Sequence, residues 1–463
     1  MLILYITKIK EKTLKYLRTQ DNKVIYNNVD LTKFAKENGS NCKIVFLDII
    51  ENQINTLKHS LDSAIKTNKY NAKFIYLYAN KANYSSEMVY TAANAADGLE
   101  TSSANDLEYT YKIYKNNTNL KHKPIVCNGF KTEEYILNIV KLNNLGFNIT
   151  SIVDDLTELK SLLSKEYKTP LNIGFRLNLC NQYGHEEHDR FGLTPDDLKI
   201  AKQLLKNQNK LVVSTLHFHQ RGFSYEDDKF YININKIAQQ YVELKTEFST
   251  LQNLDIGGGT PWFYDQDFNY NSWANTLISQ LKTTFTQNNV DCPNLIIENG
   301  KYTVKDSIVN IYSVKGVKNT DPNFSWYILD TSLMLCIPEY FACEEPMKFV
   351  PLNNLNNKQI KTRLSGITCD CDDVYFEKDK GYILMPQIKD EPLYIAIIGT
   401  GSYQESMSPQ NSVRHCLVPN ENKYVSFIKD GKRQFVQTNI SQNVTQICKT
   451  NKISKKYLSQ FNK

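Results

Sequence analysis

The chain has 463 residues, about three times the usual single-domain length, and 41% of them are hydrophobic, 22% charged and 11% aromatic. That composition can bury a full core, which excludes a disordered or collagen-like chain. Its 55 basic against 49 acidic residues leave a net charge of +6, too little over this length to argue for a nucleic-acid or membrane partner, so the expected partner is a small molecule.

The first residues, Met1 to Ile6, are apolar, but Lys8, Lys10 and Lys12 follow at once and no small-residue cleavage site appears, so no secretion signal is expected. No apolar run approaches the roughly 20 residues that a membrane span requires; Tyr394 to Ile398 is the best. The ten cysteines follow no framework spacing and are read as reduced thiols, which points to the cytoplasm.

From about Asn71 to Gly300, short β-type runs alternate with helix-type runs, the pattern of a parallel sheet with crossover helices. The runs are Phe74–Tyr78, Gly98–Thr101, Pro124–Cys127, Ile149–Val153, Ile173–Leu177, Leu211–Phe218, Leu254–Ile256 and Leu295–Ile297. Between them Ile136, Ile139 and Val140 share one helix face; Ile200, Ala201, Leu204 and Leu205 share a second; Ile234, Ile237, Ala238 and Tyr241 share a third. Eight such units close a (β/α)8 TIM barrel, expected over residues 45–310 of an α/β protein. The β-type runs Tyr302–Val317, Trp326–Leu329, Met347–Pro351, Gly381–Met385 and Tyr394–Ile398 predict a mostly β second domain made of residues 1–44 and 311–463. Asp430-Gly431, between Tyr424–Ile428 and Phe435-Val436, predicts a hairpin turn there.

In such a barrel the loops after the strands converge on one face, so polar residues at strand ends are candidates for chemistry. Nearly every run supplies one: Lys81, Glu100, Asn128, Asp154, Arg176, His219, the triplet Gly257-Gly258-Gly259, and Glu298. Singly, Asn128 or Asp154 also reads as a helix cap or a satisfied buried polar group. Consecutive glycines let backbone amides wrap an anion such as phosphate, although a triple glycine also makes a tight turn. Lys81 ends an apolar strand, where desolvation would make its amine a better nucleophile toward carbonyls. An amine nucleophile beside a phosphate cradle suggests pyridoxal phosphate.

Over about Phe74 to Pro419 the chain resembles the barrel-type (fold type III) pyridoxal-phosphate decarboxylases of basic amino acids, most of all the biosynthetic arginine decarboxylases. The likeness is carried by Tyr78–Asn83, Leu216–His219, Leu254–Gly259, Glu298–Lys301, Gly366–Asp370 with Asp373, and Gly401–Tyr403. The arginine-decarboxylase flavour comes from Val126–Lys131, Gly98–Glu100, Ile367–Asp370 and Tyr403–Glu405. The resemblance implies Lys81 as the Schiff-base lysine, His219 stacked on the cofactor ring, and Glu298 paired with its pyridine nitrogen. It also implies a cofactor set completed by Glu100, Arg176, Gly257, Gly258, Gly259, Lys301 and Tyr403. Cys369 is implied as the proton donor that crosses a homodimer interface, and Asp370 and Asp373, with Asp372 a further candidate, as contacts for a cationic substrate tail. The acidic run also reads as a solvated turn.

The implied reaction is arginine to agmatine, in polyamine biosynthesis, with ornithine, citrulline, lysine and diaminopimelate as alternative substrates. Two departures from the family pattern stand out. His219-Gln220-Arg221-Gly222 lacks the usual serine, and Lys301 replaces an arginine, keeping the charge without its fork geometry. The chain also lacks the long insertions of many such bacterial enzymes. Two other classes remain open. One is a hydrolase using His185, Glu186, Glu187, His188, Cys369 and Cys371 on metal, although the spacing is not that of a zinc helix. The other is a silent homologue acting as a regulatory binding protein, against which the joint retention of Lys81, His219, Glu298, Cys369 and Tyr403 argues.

Overall fold

The computed structural model describes residues 15–178, 190–219, 229–262, 268–409 and 414–450. The segments holding His185–His188 and Gln220–Gly222 lie outside them. The described residues form two compact units, one of 50–178, 190–219, 229–262 and 268–303, the other of 15–49, 304–409 and 414–450.

The first unit is a closed barrel of eight parallel strands: β1 (Phe74–Ala79), β2 (Gly98–Thr101), β3 (Ile125–Cys127), β4 (Ile149–Val153), β5 (Leu171–Arg176), β6 (Leu211–His217), β7 (Asn253–Asp255) and β8 (Asn294–Asn299). Each strand pairs with the next, and β8 returns to β1 with Leu295 beside Phe74 and Glu298 beside Leu77. The strands bury both faces, so they read as near-continuous apolar runs. Leu77, Val126, Ile152 and Ile296 pack together from different strands, as a barrel interior filled by side chains requires.

Among the described residues seven helices follow β1 to β7: α1 (Ser86–Ala95), α2 (Ala104–Tyr114), α3 (Glu133–Asn144), α4 (Leu156–Leu163), α5 (Pro195–Leu205), α6 (Lys229–Glu247) and α7 (Tyr270–Gln287). Their starts are written in the sequence. Ser103, Thr132, Asp155 and Asn269 each accept a backbone N–H from the first turn, and Thr194 forms a reciprocal capping box with Asp197 just ahead of Pro195. Ile234, Ile237, Ala238 and Tyr241 of α6 are all buried, as the periodicity predicts. In α5 the inward face is Leu198, Ala201 and Leu205, so Ala201 and Leu205 follow the periodicity, while Ile200 is exposed and Leu204 only half-buried.

The second unit is mostly β. Its long strand Ile308–Lys318 pairs with Cys42–Phe46, Tyr394–Ile398 and Ser325–Leu329 within a ten-stranded sheet. The predicted hairpin is present, Asn422–Lys429 pairing with Lys432–Asn439, with Asp430 at φ 51 and Gly431 at φ 71. Two elements differ from expectation. Lys301–Val304 is a helical turn, with Thr303 Oγ1 donating back to the Asn299 carbonyl, so the strand starts only at Ile308. Gln359–Ser365 is a strand that composition hid, because its cations cover rings: Arg363 lies 4.2 Å from the Phe324 centroid and Lys361 4.6 Å from that of Tyr382.

Candidate active site

All the strand-end residues named above lie at the C-terminal mouth of the barrel. Lys81 is in the single turn Asn80–Ala82 after β1, Glu100 within β2, Asn128 just past β3, Asp154 just past β4, and Arg176 at the end of β5. His219 is two residues beyond β6, the glycines follow β7, and Glu298 is in β8. Strand polarity explains the convergence: in a parallel barrel every strand delivers its last residues to the same rim.

A chain of contacts links four of them. Lys81 Nζ lies 2.9 Å from Glu100 Oε2. The Asn128 amide donates to Glu100 Oε1 at 3.1 Å and to Glu298 Oε1 at 2.7 Å, and Ser102 Oγ donates to Glu100 Oε1 at 2.7 Å. Glu100 is fully buried, whereas the Lys81 side chain is 47% exposed. The apolar surroundings expected for this lysine are therefore replaced by a paired carboxylate beneath a half-open amine.

Behind the rim sits a buried cluster that strand-end reasoning passed over. His217 and Asp255 are neighbours in the β6–β7 register, and His217 Nε2 lies 3.5 Å from Glu298 Oε1. Burial alone would raise the Glu298 carboxyl, but His217, Lys81 and the Asn128 hydrogen bond hold it well below the usual carboxylate range. Asp255 shifts the opposite way, pushed well above its ordinary range by burial and then by the charge of Glu298. Two facing acids in one desolvated space separate into one ionised and one protonated partner. The signal for both residues was available: a histidine and an aspartate inside otherwise apolar barrel strands.

The glycines are required sterically. Gly257 has φ 65, and a Cβ there would sit 2.6 Å from His219 Nδ1; a Cβ on Gly258 would sit 2.6 Å from the Glu298 carbonyl oxygen. Their amides serve the protein itself, since Gly257 N–H donates to Asp255 Oδ1 at 2.9 Å and Gly258 N–H to His219 Nδ1 at 3.2 Å. An Nδ1 that accepts cannot carry a proton, so the His219 ring is neutral with its hydrogen on Nε2. Partial desolvation and then the cations Lys81 and Arg176 pull the imidazole below its ordinary value in the same sense, even though the ring is exposed. Arg176 lies 3.7 Å from Asp154 and stacks 4.4 Å from the Phe191 centroid.

In the β unit, Cys369 is exposed on the loop between strands Gln359–Ser365 and Val374–Tyr375, and Asp370 is half-buried beside it. Asp373 is fully buried and accepts from Thr368 Oγ1 at 2.7 Å, Met334 N at 3.0 Å and Ser332 Oγ at 3.2 Å. Its carboxylate thus ties the loop down. Tyr403 has φ 63, following Gly401, where a Cβ would meet the Val304 carbonyl.

The barrel residues fit pyridoxal phosphate. They offer a half-open lysine amine, a buried carboxylate kept ionised, a neutral imidazole, and a turn where only glycine leaves space.

Comparison with known proteins agrees. Residues 48–305 match the family model described as pyridoxal-dependent decarboxylase, pyridoxal binding domain. A biosynthetic arginine decarboxylase of Pelobacter propionicus is 30% identical over 303 residues, 60% of this chain and 47% of that protein. One from a Geobacter species is 29% identical over 281 residues, 56% of this chain and 44% of that protein. The chain thus spans less than half the length of these relatives. Among solved structures, a biosynthetic arginine decarboxylase from Campylobacter jejuni superposes with a TM-score of 0.82 at 19% identity, covering 98% of this chain and 92% of that one. A diaminopimelate decarboxylase from M. jannaschii does so at 0.78 and 20%, covering 95% and 98%. At such identities these two likenesses speak for the fold. With more than half its length on the family model and the lysine, glycine and glutamate positions all at the barrel mouth, the chain belongs to the pyridoxal-dependent decarboxylase family.

Proposed function

We propose that this chain decarboxylates a basic amino acid, arginine foremost, and forms agmatine. The observation that carries the reading is the unbroken contact line from the Lys81 amine through Glu100 and Asn128 to the buried, ionised Glu298. The choice of arginine is supported by the relatives of Geobacter and Pelobacter; ornithine, lysine, citrulline and diaminopimelate are the competing substrates.

Lys81 would hold the cofactor through its amine, with Glu100 fixing where that amine points. The Gly257–Gly259 turn would leave room for the phosphate, the amides of Gly257 and Gly258 being committed to Asp255 and His219, and Gly259, Arg176, Lys301 and Tyr403 would take it. When bound, pyridoxal phosphate supplies a conjugated, protonated ring that accepts the electron pair left at Cα as carbon dioxide departs. Glu298 would hold the proton on the pyridine nitrogen, a task that needs a carboxylate that stays ionised in a dry site. The neutral His219 imidazole would lie on the ring face and orient it. Asp370 would pair with the cationic tail of the substrate. Cys369 would return a proton to Cα across the interface of a homodimer. Because Asp373 is committed to Thr368, Met334 and Ser332, its part in the tail site would be to hold Asp370 and Cys369 in place.

Among the described residues no helix is long and apolar enough to cross a membrane. The described cysteines are free thiols, the state that a reducing cytoplasm maintains, and a cytoplasmic location is part of this proposal. The test is release of labelled carbon dioxide from each of the five amino acids, repeated with Lys81→Ala and Cys369→Ala. Arginine should be turned over fastest, the first variant should lose the cofactor's visible absorbance, and the second should lose fidelity of proton return. No release from any of the five would overturn the reading.

A further inference from the structure

The loop carrying Cys369 meets a second thiol that the decarboxylation reading does not use. Cys369 Sγ and Cys416 Sγ are 3.6 Å apart, and both residues are exposed. Cys416 Sγ is 3.2 Å from His415 Nδ1, and His415 Nε2 is 3.6 Å from Asp370 Oδ2. The order carboxylate, imidazole, thiol places a ring nitrogen within reach of a sulfur's proton and a carboxylate behind that ring, the geometry a base-assisted thiol needs. Cys369 is the complementary partner. Only Cys416 lies against the imidazole, so that sulfur is placed to attack and Cys369, in contact with it, to follow.

Both thiols sit on anchored backbone. On one side Gly366 N–H donates to the Asp373 carbonyl at 2.8 Å and Ile367 N–H to the Thr331 carbonyl at 2.9 Å, and the buried Asp373 carboxylate secures Thr368. On the other, the buried Arg414 next to the pair lies 3.5 Å from Glu421 and donates to the Pro419 carbonyl at 3.4 Å. Cys416 and Leu417 both have φ 51, a left-handed turn that residues other than glycine adopt only at a cost. Sulfurs in van der Waals contact need to close to about 2.05 Å for a covalent bond, a motion within reach of two exposed side chains.

We propose that Cys369 and Cys416 form a peroxide-responsive thiol pair whose oxidation switches the enzyme off. His415 takes the Cys416 proton, and the thiolate attacks one oxygen of a hydroperoxide. The O–O bond breaks, the attacked terminal oxygen stays on sulfur with its hydrogen, the other oxygen takes the proton from His415 and leaves as water or an alcohol, and Cys416 becomes a sulfenic acid. The Cys369 thiol then attacks that sulfur, the S–O bond breaks, and a second water leaves with the Cys369 proton. The two sulfurs together lose two electrons to the peroxide, and a small dithiol returns them. The loss of activity rests on the reading of Cys369 as proton donor; formation of the bond does not.

The purified, cofactor-loaded protein is treated with a few equivalents of hydrogen peroxide, alkylated, digested without reductant and mapped by mass. The expected result is a Cys369–Cys416 linked peptide and loss of two titratable thiols per chain. Carbon dioxide release should fall by about tenfold or more and recover with dithiothreitol. Cys416→Ser should give no linked peptide and keep its activity under the same peroxide. His415→Ala should form the same link about tenfold more slowly. A link from Cys369 to Cys371 instead, or equal alkylation of Cys369 and Cys416 before and after peroxide, overturns the proposal, as does equal inactivation of Cys416→Ser. A Cys369–Cys416 link with undiminished activity upholds the thiol pair and overturns the catalytic reading of Cys369.

Discussion

The side-chain amide of Asn128 donates at 2.7 Å to Glu298, and the same nitrogen reaches Glu100 at 3.1 Å. One neutral donor thus bridges two buried carboxylates. Asn128→Ala should lower kcat/KM by about 10–100-fold, since a hydrogen bond to a buried charge is worth roughly 1.5–3 kcal/mol. Asn128→Asp should be worse, as it adds a further acid beside Glu100, Glu298 and Asp255. Circular dichroism separates this from unfolding, and the cofactor's absorbance reports any displaced proton.

Glu298→Gln keeps the shape of the side chain and removes its charge. Turnover should fall by about 100-fold or more, the size of losing a preorganised charge at a reacting centre. With that charge gone, one cause of the raised Asp255 carboxyl disappears and the pH dependence of the bound cofactor's spectrum should change. A spectrum and turnover matching the wild type would remove Glu298 from the mechanism.

Gly258→Ala places a methyl 2.6 Å from the Glu298 carbonyl oxygen, and Gly257→Ala adds a methyl against His219 at a positive φ. Both should weaken cofactor binding while the barrel still folds, Gly257→Ala by about 1–3 kcal/mol from backbone strain alone. Fluorescence titration of the apoprotein with pyridoxal phosphate measures it. Unchanged affinity in both would show that this turn does not shape the site.

Lys131 is fully buried, donating to the Gly129 carbonyl at 2.9 Å and lying 3.4 Å from Glu158 Oε2, with Glu158 in turn accepting the Lys131 N–H at 2.7 Å. Lys131→Met strands the Glu158 charge and should cost about 3–5 kcal/mol. The double variant with Glu158→Leu should recover part of that loss, as coupled partners do. Urea denaturation of the three proteins checks both statements.

Asp106, near the Lys81 turn, accepts from Asn80 at 3.0 Å and from Ser102 N–H at 2.9 Å, yet burial pushes its carboxyl up to about 6. A group raised in the folded state gives stability that is present in full below the unfolded value of 3.8 and is lost as pH rises toward 6. The loss is at most about 3 kcal/mol. Asp106→Asn should flatten that part of the stability profile, which denaturation at pH 4, 5, 6 and 7 would reveal.

The sequence by itself determined the barrel and its rim. Apolar β runs broken by capped helices admit few arrangements, and chain direction sends Lys81, Asn128, His219 and Glu298 to one mouth because all eight strands run the same way. The hairpin at Asp430-Gly431 was legible for a similarly local reason: its turn needs two positive φ angles. Only the tertiary structure decided how these residues engage one another. That His217 and Asp255 share a register, that the glycine amides bind His219 and Asp255, that Asp373 ties down its own loop, and that Cys369 touches a thiol 47 positions away are outcomes of packing between distant segments. Burial and distance then set which carboxyl keeps its proton, and neither quantity is written in any single stretch of chain.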